Sequence, residues 1–480
     1  MKAIRTRFAP SPTGYLHVGG LRTALYAYLL AKQYGGQFLL RIEDTDRTRL
    51  VEGAVENMIN NLRWAGIDFD EGPGKDGGCG PYVQSERLDL YKKHALELVN
   101  NDHAYYCFCS QERLEQVRNQ MMANKLPPAY DKHCRNLSKT EVEEKLQQHA
   151  NHVIRMKIPL EGEMTFNDLI RGDVTFGYKS VDDQVIIKSD GFPTYHLAVV
   201  VDDHYMKISH VIRGEEWLSS TPKHVLLYQY FGWQAPLFSH LPLLLNPDRS
   251  KLSKRQGDVA VDDYRNKGFL PEALVNFIAF LGWNPGDTRE IFSIEELKKE
   301  FTLDRVGKAG AVFNIEKLNW LNEQYIHAMP TDQLLLRIKP LLQEKGWTKH
   351  NDEYVKQVIE LLKERVTVLP DFLINGSYFF VAPTEFDAKA KEKGWKPESA
   401  KYLTDIAQLL EKLATFDSAT VEQTVRDYAA QNNIGTGALI HPLRLACSGV
   451  TQGPSLFHLL ATLGKEETCS RIAHACKILG

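Results

Sequence analysis

A glycine-rich segment near the amino terminus has the composition of a phosphate-binding loop. Residues 10–20 read Pro-Ser-Pro-Thr-Gly-Tyr-Leu-His-Val-Gly-Gly, and an apolar pattern typical of a helix runs from Leu21 to Tyr34. Small residues let the backbone approach a ligand closely, and the first N–H groups of a helix attract phosphate oxygens. His17 would add a hydrogen-bond donor there. A tight turn between a strand and a helix gives the same pattern without any ligand.

A second segment, far along the chain, carries two closely spaced lysines. It reads Lys251-Leu252-Ser253-Lys254-Arg255 and follows Pro247-Asp248-Arg249-Ser250. When ATP is cleaved between its first and second phosphates, negative charge builds on the phosphorus and on the departing pyrophosphate, and mobile lysines can neutralise it. Lys251 and Lys254 are therefore candidate catalytic cations. The alternative is a solvated basic loop, which short runs of this kind often form.

Three of the seven cysteines are clustered. Cys107 and Cys109 are two residues apart, and Cys134 follows 25 residues after Cys109. Three thiolates suit tetrahedral zinc, but a structural site needs a fourth ligand. The alternative is three free cysteines left from a lost site.

The composition is that of a soluble protein with several domains. The 480 residues exceed the usual length of one domain several times, and the formal net charge is −3. That balance argues against indiscriminate binding of nucleic acid, so an RNA partner would need a locally basic face. The chain shows neither an apolar run long enough to cross a membrane nor an apolar leader. We therefore expect action in the cytoplasm without a membrane partner.

The elements around the first motif predict a parallel sheet. Ile4–Phe8 and Phe38–Ile42 are typical of buried strands on either side of the predicted helix. From about residue 107 to 183 the pattern becomes polar and irregular, which indicates an insertion. Apolar runs at 185–187, 195–201 and 208–212 then predict a return to parallel strands. Beyond about residue 322 the pattern is almost entirely that of amphipathic helices, for example at 331–345, 352–369, 399–415 and 466–479.

The two motifs together resemble the signature motifs of class I aminoacyl-tRNA synthetases. His17-Val18-Gly19-Gly20 matches the first motif, and the lysine-bearing segment matches the second. Further segments resemble the bacterial type of glutamyl-tRNA synthetase; they begin at Arg7, Arg41, Pro193, Val201, Val211 and His441. The resemblance implies that the enzyme forms glutamyl-adenylate from L-glutamate and ATP and then transfers the glutamyl group to tRNA(Glu).

The resemblance also assigns the nucleotide site. His17, Lys251 and Lys254 would be catalytic, and ATP would enter with Mg²⁺. The implied ATP-binding residues are Pro12, Thr13, Gly14, His17, Gly19, Gly20, Glu216, Lys251, Leu252, Ser253 and Lys254.

Residues for the amino acid follow from the same resemblance. The implied glutamate-binding residues are Arg7, Ala9, Ser11, Glu43, Tyr195, Arg213 and Trp217. Arg7 and Arg213 can present forked donors to a carboxylate, and these donors would oppose the side-chain amide of glutamine. Glu43 can pair with the ammonium group. Val199 stands where the family often has Asn, which removes one polar contact.

The cysteine cluster departs from the family at its fourth ligand. Related enzymes often have His two residues after the third Cys, where this chain has Asn136. The glutamyl-queuosine tRNA synthetase resembles this chain in having Tyr four residues before its last Cys. The resemblance therefore implies a structural zinc site made of Cys107, Cys109, Tyr130 and Cys134.

The predicted fold class is α/β: a Rossmann-like parallel-sheet catalytic domain split by an α+β insertion, followed by an all-α anticodon-binding region at the carboxyl end. The expected boundaries are 1–106 and 185–255 for the catalytic halves, 107–184 for an acceptor-binding insertion, 256–321 for a connecting domain and 322–480 for the helical region. A monomer is expected. Three alternatives remain: an enzyme that also charges tRNA(Gln), a tRNA-binding relative without catalysis, and a small-molecule nucleotidyltransferase.

Overall fold

The structure, a computed structural model, describes residues 3–252, 259–386 and 388–480. The chain forms two compact units. The first contains Met1–Tyr264 and Leu274–Asn314, and the second contains Arg265–Ala273 and Ile315–Gly480. The chain therefore passes from the first unit to the second twice.

The elements up to residue 312 include both strands and helices. The strands are β1 (Arg5–Phe8), β2 (Gln37–Leu40), β3 (Ala104–Cys107), β4 (Val153–Met156), β5 (Glu163–Asp168), β6 (Gly172–Gly177), β7 (Val185–Ile187), β8 (His210–Gly214), β9 (Leu237–Leu241), β10 (Leu244–Leu245) and β11 (Ala311–Val312). The helices are α1 (Val18–Gln33), α2 (Ala54–Trp64), α3 (Leu88–Asn100), α4 (Gln111–Ala123), α5 (Lys139–Gln147), α6 (Tyr195–Tyr205), α7 (Thr221–Tyr230), α8 (Val261–Asn266), α9 (Pro271–Ala279) and α10 (Ile294–Glu300).

The elements described after residue 314 are helical. They are α11 (Ile315–Ala328), α12 (Thr331–Glu344), α13 (Asp352–Leu362), α14 (Asp371–Asn375), α15 (Ser377–Phe380), α16 (Ala388–Gly394), α17 (Ser399–Glu411), α18 (Ser418–Gln431), α19 (Gly437–Ser448), α20 (Leu456–Leu463) and α21 (Lys465–Leu479). Short 3₁₀ helices occur at Arg47–Arg49, Gln84–Arg87, His133–Asn136, Tyr178–Ser180, Glu215–Ser220, Leu303–Arg305 and Lys363–Arg365.

Parallel pairing dominates the strands that lie near the two motifs. β1 pairs with β2, β8 with β9, and β10 with β11, all in parallel. A single parallel pair, Asp168 with Phe238, joins β5 to β9, and β6 continues that sheet in the antiparallel sense. β3, β4 and β7 form a separate antiparallel sheet. The hairpin β5–β6, which lies within the predicted insertion, is thus bonded directly to the parallel pair β8–β9.

Two of the predicted strands differ in the structure. Residues 195–201 belong to helix α6, and β7 at residues 185–187 pairs antiparallel with β4. An apolar run such as Leu197–Val201 is buried on all sides, so its pattern cannot separate a buried helix from a buried strand. The predicted strands at 4–8, 38–42 and 208–212 are present to within two or three residues.

A glycine closes the first strand–helix–strand unit. Gly35 has φ of +63°, the left-handed conformation that commonly ends a helix, and follows Tyr34, the C-cap of α1. A Cβ at Gly36 would lie 2.0 Å from the carbonyl oxygen of Ile4, so only glycine lets the chain pass so close to β1. The tight passage brings β2 alongside β1 and fixes the carboxyl ends of both strands at one edge.

The helical unit has its own apolar core. Helices α12, α13, α18, α19 and α20 supply most of its buried side chains, and Leu270 and Ala273 from the earlier segment are buried with them. The N–H of Leu270 donates to Oδ1 of Asn322 at 2.8 Å, and the N–H of Leu369 donates to the oxygen of Gly268 at 3.1 Å. Among the described residues, no helix is both long and apolar enough to span a bilayer.

Candidate active site

The glycine-rich motif is hydrogen-bonded to the segment that follows the lysine-bearing motif. The N–H of Val18 donates to the oxygen of Val259 at 2.8 Å, and the N–H of Val261 donates to the oxygen of Leu16 at 2.9 Å. His17 and Ala260 form the antiparallel bridge between them. The first motif therefore lies beside residues 259–261, although about 240 positions separate the two segments in the chain.

Lys251, in the second motif, lies beside strand β10. Its backbone bridges Leu245 of β10, and the N–H of Leu252 donates to the oxygen of Leu244 at 2.9 Å. The side chain of Leu244 in turn lies over Gly19 at the start of α1, where a Cβ would be 3.7 Å from its Cδ1. Lys251 is exposed. The predicted residues Ser253 and Lys254 lie outside the described residues.

The start of α1 fixes the proton of His17. His17 is the N-cap of the helix, and its Nδ1 accepts from the N–H of Gly20 at 3.0 Å. Because Nδ1 is the acceptor, a neutral ring carries its proton on Nε2. His17 can therefore donate from Nε2.

Other predicted nucleotide-binding residues surround this helix start. Thr13 is exposed, Pro12 is buried, and a Cβ added to Gly14 would meet nothing within 4 Å. Glu216 is exposed in the 3₁₀ helix after β8, with its carboxylate against Gly214, where a Cβ would be 2.2 Å from Oε2. The space beside Gly14 is therefore open to a ligand.

A buried network of arginines and carboxylates lies at the ends of β1 and β2. Arg7 donates from Nε and Nη2 to the carboxylate of Asp203 at 3.1 and 3.3 Å. Arg41 donates to Glu43 at 2.9 Å and to Asp203 at 2.7 Å. Asp202 accepts from Nε of Arg87 at 2.7 Å and from the hydroxyl of Tyr91. In this structure the fork of Arg7 thus faces Asp203, whereas the sequence suggested a substrate carboxylate, and Glu43 is paired with Arg41.

Burial and pairing set the protonation of these groups. Burial raises the pKa of Glu43, and Arg41 and Arg7 oppose the rise. The pKa of Asp203 is lowered in spite of the opposing effect of its burial, because Arg7 and Arg41 surround it. Three arginines (Arg7, Arg41 and Arg87) and three carboxylates (Glu43, Asp202 and Asp203) balance one another in this network.

Arg213, at the end of β8, has a different environment. Its Nε donates to Nε2 of His240 at 3.1 Å, and its Nη1 donates to the hydroxyl of Tyr195 at 2.9 Å and to Nδ1 of His224 at 3.2 Å. Its Nη2 donates to Oγ1 of Thr221 at 2.9 Å. Within the described residues no carboxylate lies within ion-pair distance of Arg213.

The histidines around Arg213 are neutral. Burial, together with the charges of Arg213 and neighbouring groups, lowers the pKa of His224 well below its usual value. Burial also lowers the pKa of His240, although Asp168 opposes the change. The groups that accept hydrogen bonds from Arg213 are therefore uncharged. Asp168 opposes its charge from the far side of His240, without touching the guanidinium.

Aromatic and small residues complete the surroundings of Arg213. The rings of Tyr195 and Trp217 are 4.3 Å apart between centroids, and Trp217 is 37% exposed. On the neighbouring strands, the N–H of Glu43 donates to the oxygen of Pro10 at 2.9 Å, which places Ala9 and Ser11 beside Glu43. Val199 is buried in helix α6.

Five residues of this region are not identified as site residues by the sequence. They are Asp168, Asp203, Thr221, His224 and His240. Asp203 could have been suspected, because two adjacent aspartates after a buried apolar run require cationic partners. Asp168, His224 and His240 carry no sequence signal of this kind. The pairing of β8 with β9 brings His240 to Arg213, the pairing of β5 with β9 brings Asp168 to His240, and His224 reaches Arg213 from helix α7.

The cysteine cluster is assembled at the end of β3. The Sγ atoms of Cys107, Cys109 and Cys134 all lie within 4.8 Å of one another, and those of Cys109 and Cys134 are 3.6 Å apart. The hydroxyl of Tyr130 is 3.3 Å from Sγ of Cys107 and 3.5 Å from Sγ of Cys109. Tetrahedral zinc with bonds of about 2.3 Å to sulfur separates its sulfurs by about 3.8 Å. The four groups thus have the spacing of a tetrahedral site.

The pKa values within the cluster shift in opposite directions. The hydrogen bond between Cys107 and Cys134 lowers the pKa of Cys107 and raises that of Cys134, and burial raises the pKa of Tyr130. The guanidinium carbon of Arg155 lies 3.9 Å from the centre of the Tyr130 ring, and Nη1 of Arg113 lies 3.5 Å from Sγ of Cys109. Asn136 lies in the short 3₁₀ helix that contains Cys134.

Comparisons with known proteins agree over the whole chain. Residues 3–320 match the family described as tRNA synthetases class I (E and Q), catalytic domain, and residues 333–476 match an anticodon binding domain. The glutamate–tRNA ligase of Pelodictyon phaeoclathratiforme is 51% identical, with 98% of this chain and 97% of the relative aligned. That of Chloroherpeton thalassium is also 51% identical, with 99% and 98% aligned.

A solved structure has the same fold. The crystal structure of a glutamate tRNA ligase from Elizabethkingia meningosepticum in complex with its amino acid is 42% identical, has a TM-score of 0.94 and covers all of both chains. The fold and the two motifs define a class I aminoacyl-tRNA synthetase. Within that class, the chain belongs to the glutamate–tRNA ligases. The predicted family, fold class and enzyme class are confirmed.

Proposed function

We propose that the chain attaches L-glutamate to the 3′ end of tRNA(Glu) in two steps within the first unit. An oxygen of the α-carboxylate of glutamate bonds to the α-phosphorus of ATP, and the bond to the β-phosphate breaks to release pyrophosphate. A hydroxyl of the terminal ribose of tRNA then attacks the glutamyl carbonyl carbon, and AMP leaves. Glutamyl-tRNA, AMP and pyrophosphate are the products.

The lack of a carboxylate in contact with Arg213, among the described residues, carries the proposal for the amino acid. Free glutamate has two carboxylates and one ammonium, so its net charge is −1, whereas glutamine is neutral. A guanidinium whose hydrogen-bond partners are uncharged can take a carboxylate of glutamate as its ion-pair partner. Tyr195 and Trp217 would flank the side chain, and Arg7, Glu43, Ala9 and Ser11 would contact the rest. A buried guanidinium discriminates against the amide of glutamine because N–H groups would face N–H groups.

The contacts that link the first motif to residues 259–261 and to Leu244 support the nucleotide site. Backbone around Gly14, Gly19 and Gly20 would lie against the triphosphate, and Nε2 of His17 would donate to a phosphate oxygen. Lys251 would neutralise charge on the departing pyrophosphate, and we assign the same role to Lys254. ATP enters as its Mg²⁺ complex, which reduces the charge that the lysines must balance.

We also propose that Cys107, Cys109, Tyr130 and Cys134 hold a structural zinc ion. Bound zinc would tie the end of β3 to the 3₁₀ helix at residues 133–136, because its ligands come from both elements. We propose that residues 107–184 contact the acceptor stem, that residues 322–480 contact the anticodon, and that the enzyme is a cytoplasmic monomer.

The proposal is tested by charging separate tRNAs for glutamate and glutamine with labelled glutamate and ATP. We expect charging of tRNA(Glu) and tRNA-dependent exchange of pyrophosphate into ATP. Removing the charge in Arg213→Gln should raise KM for glutamate about 10- to 100-fold, since a hydrogen bond to a charged group contributes about 1.5–3 kcal/mol. The KM for ATP should change little.

Arg63→Gln is the control, because Arg63 is exposed near the end of α2 in the same unit. Wild-type enzyme that fails to charge either tRNA while still binding tRNA would contradict the proposed reaction. An unchanged KM for glutamate in folded Arg213→Gln would contradict the role of Arg213.

A further inference from the structure

The carboxylate of Asp168 is buried and fully occupied by hydrogen-bond donors. Asp168 is the last residue of β5 and is 1% exposed. Its Oδ1 accepts from the N–H groups of Ile170 and Arg171 at 3.0 and 2.9 Å. Its Oδ2 accepts from the N–H of His240 at 3.1 Å and lies 2.6 Å from Nδ1 of the same residue. The pKa of Asp168 is lowered in spite of its burial, mainly through His240, so the group is a carboxylate at neutral pH.

The position of Asp168 determines which nitrogen of His240 carries the proton. A carboxylate cannot donate, so the short contact of 2.6 Å requires a proton on Nδ1 of His240. In the neutral ring Nε2 is then an acceptor, and it faces Nε of Arg213 at 3.1 Å. The other neutral tautomer would place an N–H of His240 against an N–H of Arg213.

His224 is a second histidine that accepts a hydrogen bond from Arg213, and its ring is oriented in a different way. Nδ1 of His224 accepts from Arg213, and its Nε2 lies 3.0 Å from Nδ1 of His196. No carboxylate takes part in that chain among the described residues. Among the described residues, the carboxylate linked to Arg213 through a histidine is therefore that of Asp168, which contacts His240.

We propose that Asp168 is a positioning residue for the glutamate pocket: by holding the proton of His240 on Nδ1, it presents Nε2 as the acceptor that orients Arg213. The inference rests on the proposed role of Arg213. Asp168 belongs to the β5–β6 hairpin and pairs with Phe238 of β9, two residues before His240. The hairpin thus contributes to amino-acid binding without touching the substrate.

The substitution Asp168→Asn keeps the size of the side chain and removes one acceptor. The new amide N–H₂ should face His240, because on the other side it would oppose two fixed backbone N–H donors, whereas the ring of His240 can change its tautomer. The ring then accepts at Nδ1 and carries its proton on Nε2, opposite Arg213. The guanidinium then loses an acceptor and turns away. We expect KM for glutamate to rise at least tenfold, with KM for ATP and kcat within about threefold of wild type.

Asp173→Asn is the matched control, because Asp173 is an exposed aspartate on β6 of the same hairpin. In this control, KM for glutamate, KM for ATP and kcat should all stay within about twofold of the wild-type values. A folded Asp168→Asn enzyme with unchanged KM for glutamate would overturn the inference.

A double variant separates positioning from general destabilisation. In Asp168→Asn/His240→Gln, the glutamine oxygen can take the place of Nε2 and accept from Arg213 without help from residue 168. We expect the KM for glutamate of the double variant to be at least threefold lower than that of Asp168→Asn. A damaged fold would be made worse by the second change, so a KM above that of Asp168→Asn would overturn the inference.

If Asp168→Asn fails to fold, His240→Gln and His240→Leu provide the test in its place. Both remove the ring, but only Gln keeps an acceptor. The KM for glutamate should be at least fivefold higher in His240→Leu than in His240→Gln, and equal values would overturn the inference. Failure of the proposed function is distinguishable, because Arg213→Gln would then leave KM for glutamate unchanged.

Discussion

Two arginines that look equivalent in the sequence have opposite surroundings. Arg7 is neutralised by Asp203, whereas Arg213 is surrounded by neutral acceptors. A carboxylate that approaches both would gain more from Arg213, because the attraction to Arg7 is offset by the aspartate beside it. At the residue scale, we therefore propose that selection of glutamate depends mainly on the arginine that has no carboxylate in direct contact.

Gly14 offers a test of the nucleotide site that does not disturb the fold. Its φ is not in the left-handed range, and a Cβ there would meet nothing within 4 Å. Gly14→Ala should therefore fold normally. If the triphosphate occupies that space, the new methyl group should raise KM for ATP about tenfold, which corresponds to about 1.4 kcal/mol. Steady-state kinetics with varied ATP measure the effect.

Gly177→Ala is the matched control for Gly14. Gly177 ends β6 with φ of −70°, and a Cβ there also meets nothing within 4 Å. It should change neither KM nor stability by a measurable amount. Equal KM values for ATP in the two alanine variants would argue against a nucleotide beside Gly14.

Buried neutral histidines make stability depend on pH. Burial, followed by the charges of Lys223 and Arg213, lowers the pKa of His196 to about 3. Between pH 6.5 and 3 the unfolded chain binds this proton and the folded chain does not, so stability falls as pH falls. The loss from His196 alone is about 1.4 kcal/mol per pH unit below 6.5. Urea unfolding at pH 7.5, 6.5 and 5.5 measures it.

His196→Asn should flatten part of that dependence, because it removes the titrating ring and keeps an acceptor near Nδ1. His474→Asn serves as control, since His474 is exposed on α21. The prediction is wrong if His196→Asn and wild type lose the same stability between pH 6.5 and 5.5.

How far the sequence predicts the site depends on how its residues are connected. His17 and Lys251 belong to contiguous motifs, and the structure brings their segments together. Asp168 and His240 are 72 positions apart, and neither stands in a recognisable motif. Their relation depends on strand pairing and ring tautomer, which composition and spacing do not encode.

At the scale of elements, the main error concerns residues 195–201. The run contains three consecutive valines, which favour strands locally. In the structure it forms α6, whose end delivers Asp202 and Asp203 to the buried arginines. The ion pairs stabilise the helix through tertiary contacts, and local propensity does not include them. The helices of the second unit were easier to predict, because their polar and apolar faces alternate with a clear period.

The zinc proposal makes a prediction for the element that carries the cysteines. Purified enzyme should contain one zinc ion per chain by elemental analysis. Tyr130→Phe should lower zinc affinity at least tenfold, because the hydroxyl near Cys107 and Cys109 is lost, and Cys109→Ser should lower it further. Competition with a chromogenic chelator measures the affinities.

Tyr106→Phe is the control, because Tyr106 lies next to Cys107 on β3 but its hydroxyl is not among the contacts of the cluster. Zinc-free wild-type enzyme would favour the alternative of three free cysteines. Zinc bound equally well by Tyr130→Phe would exclude Tyr130 as the fourth ligand.

At the scale of the whole molecule, the helical unit depends on an earlier part of the chain. Leu270 is fully buried in the core of the second unit. Leu270→Ala should therefore destabilise that unit by about 2–5 kcal/mol. Hydrogen exchange should become faster in α12 and α13 and remain unchanged in β1 and β2.

Leu336→Ala is the control for this substitution. Leu336 lies on α12 and is 71% exposed, so its loss should change stability by less than about 0.5 kcal/mol. Faster exchange in β1 and β2 after Leu270→Ala would show that the segment 265–273 supports the first unit.

The neutral surroundings of Arg213 have a consequence for handling the enzyme. A buried cation with no anion in direct contact is a source of instability, and a bound anion relieves it. With glutamate bound at Arg213 as proposed, the amino acid would be a folding cofactor as well as a reactant, with a stabilising effect that grows with its concentration over its dissociation constant. Preparations dialysed free of glutamate would be the most fragile form of this ligase, and storage buffers containing it would prolong its shelf life.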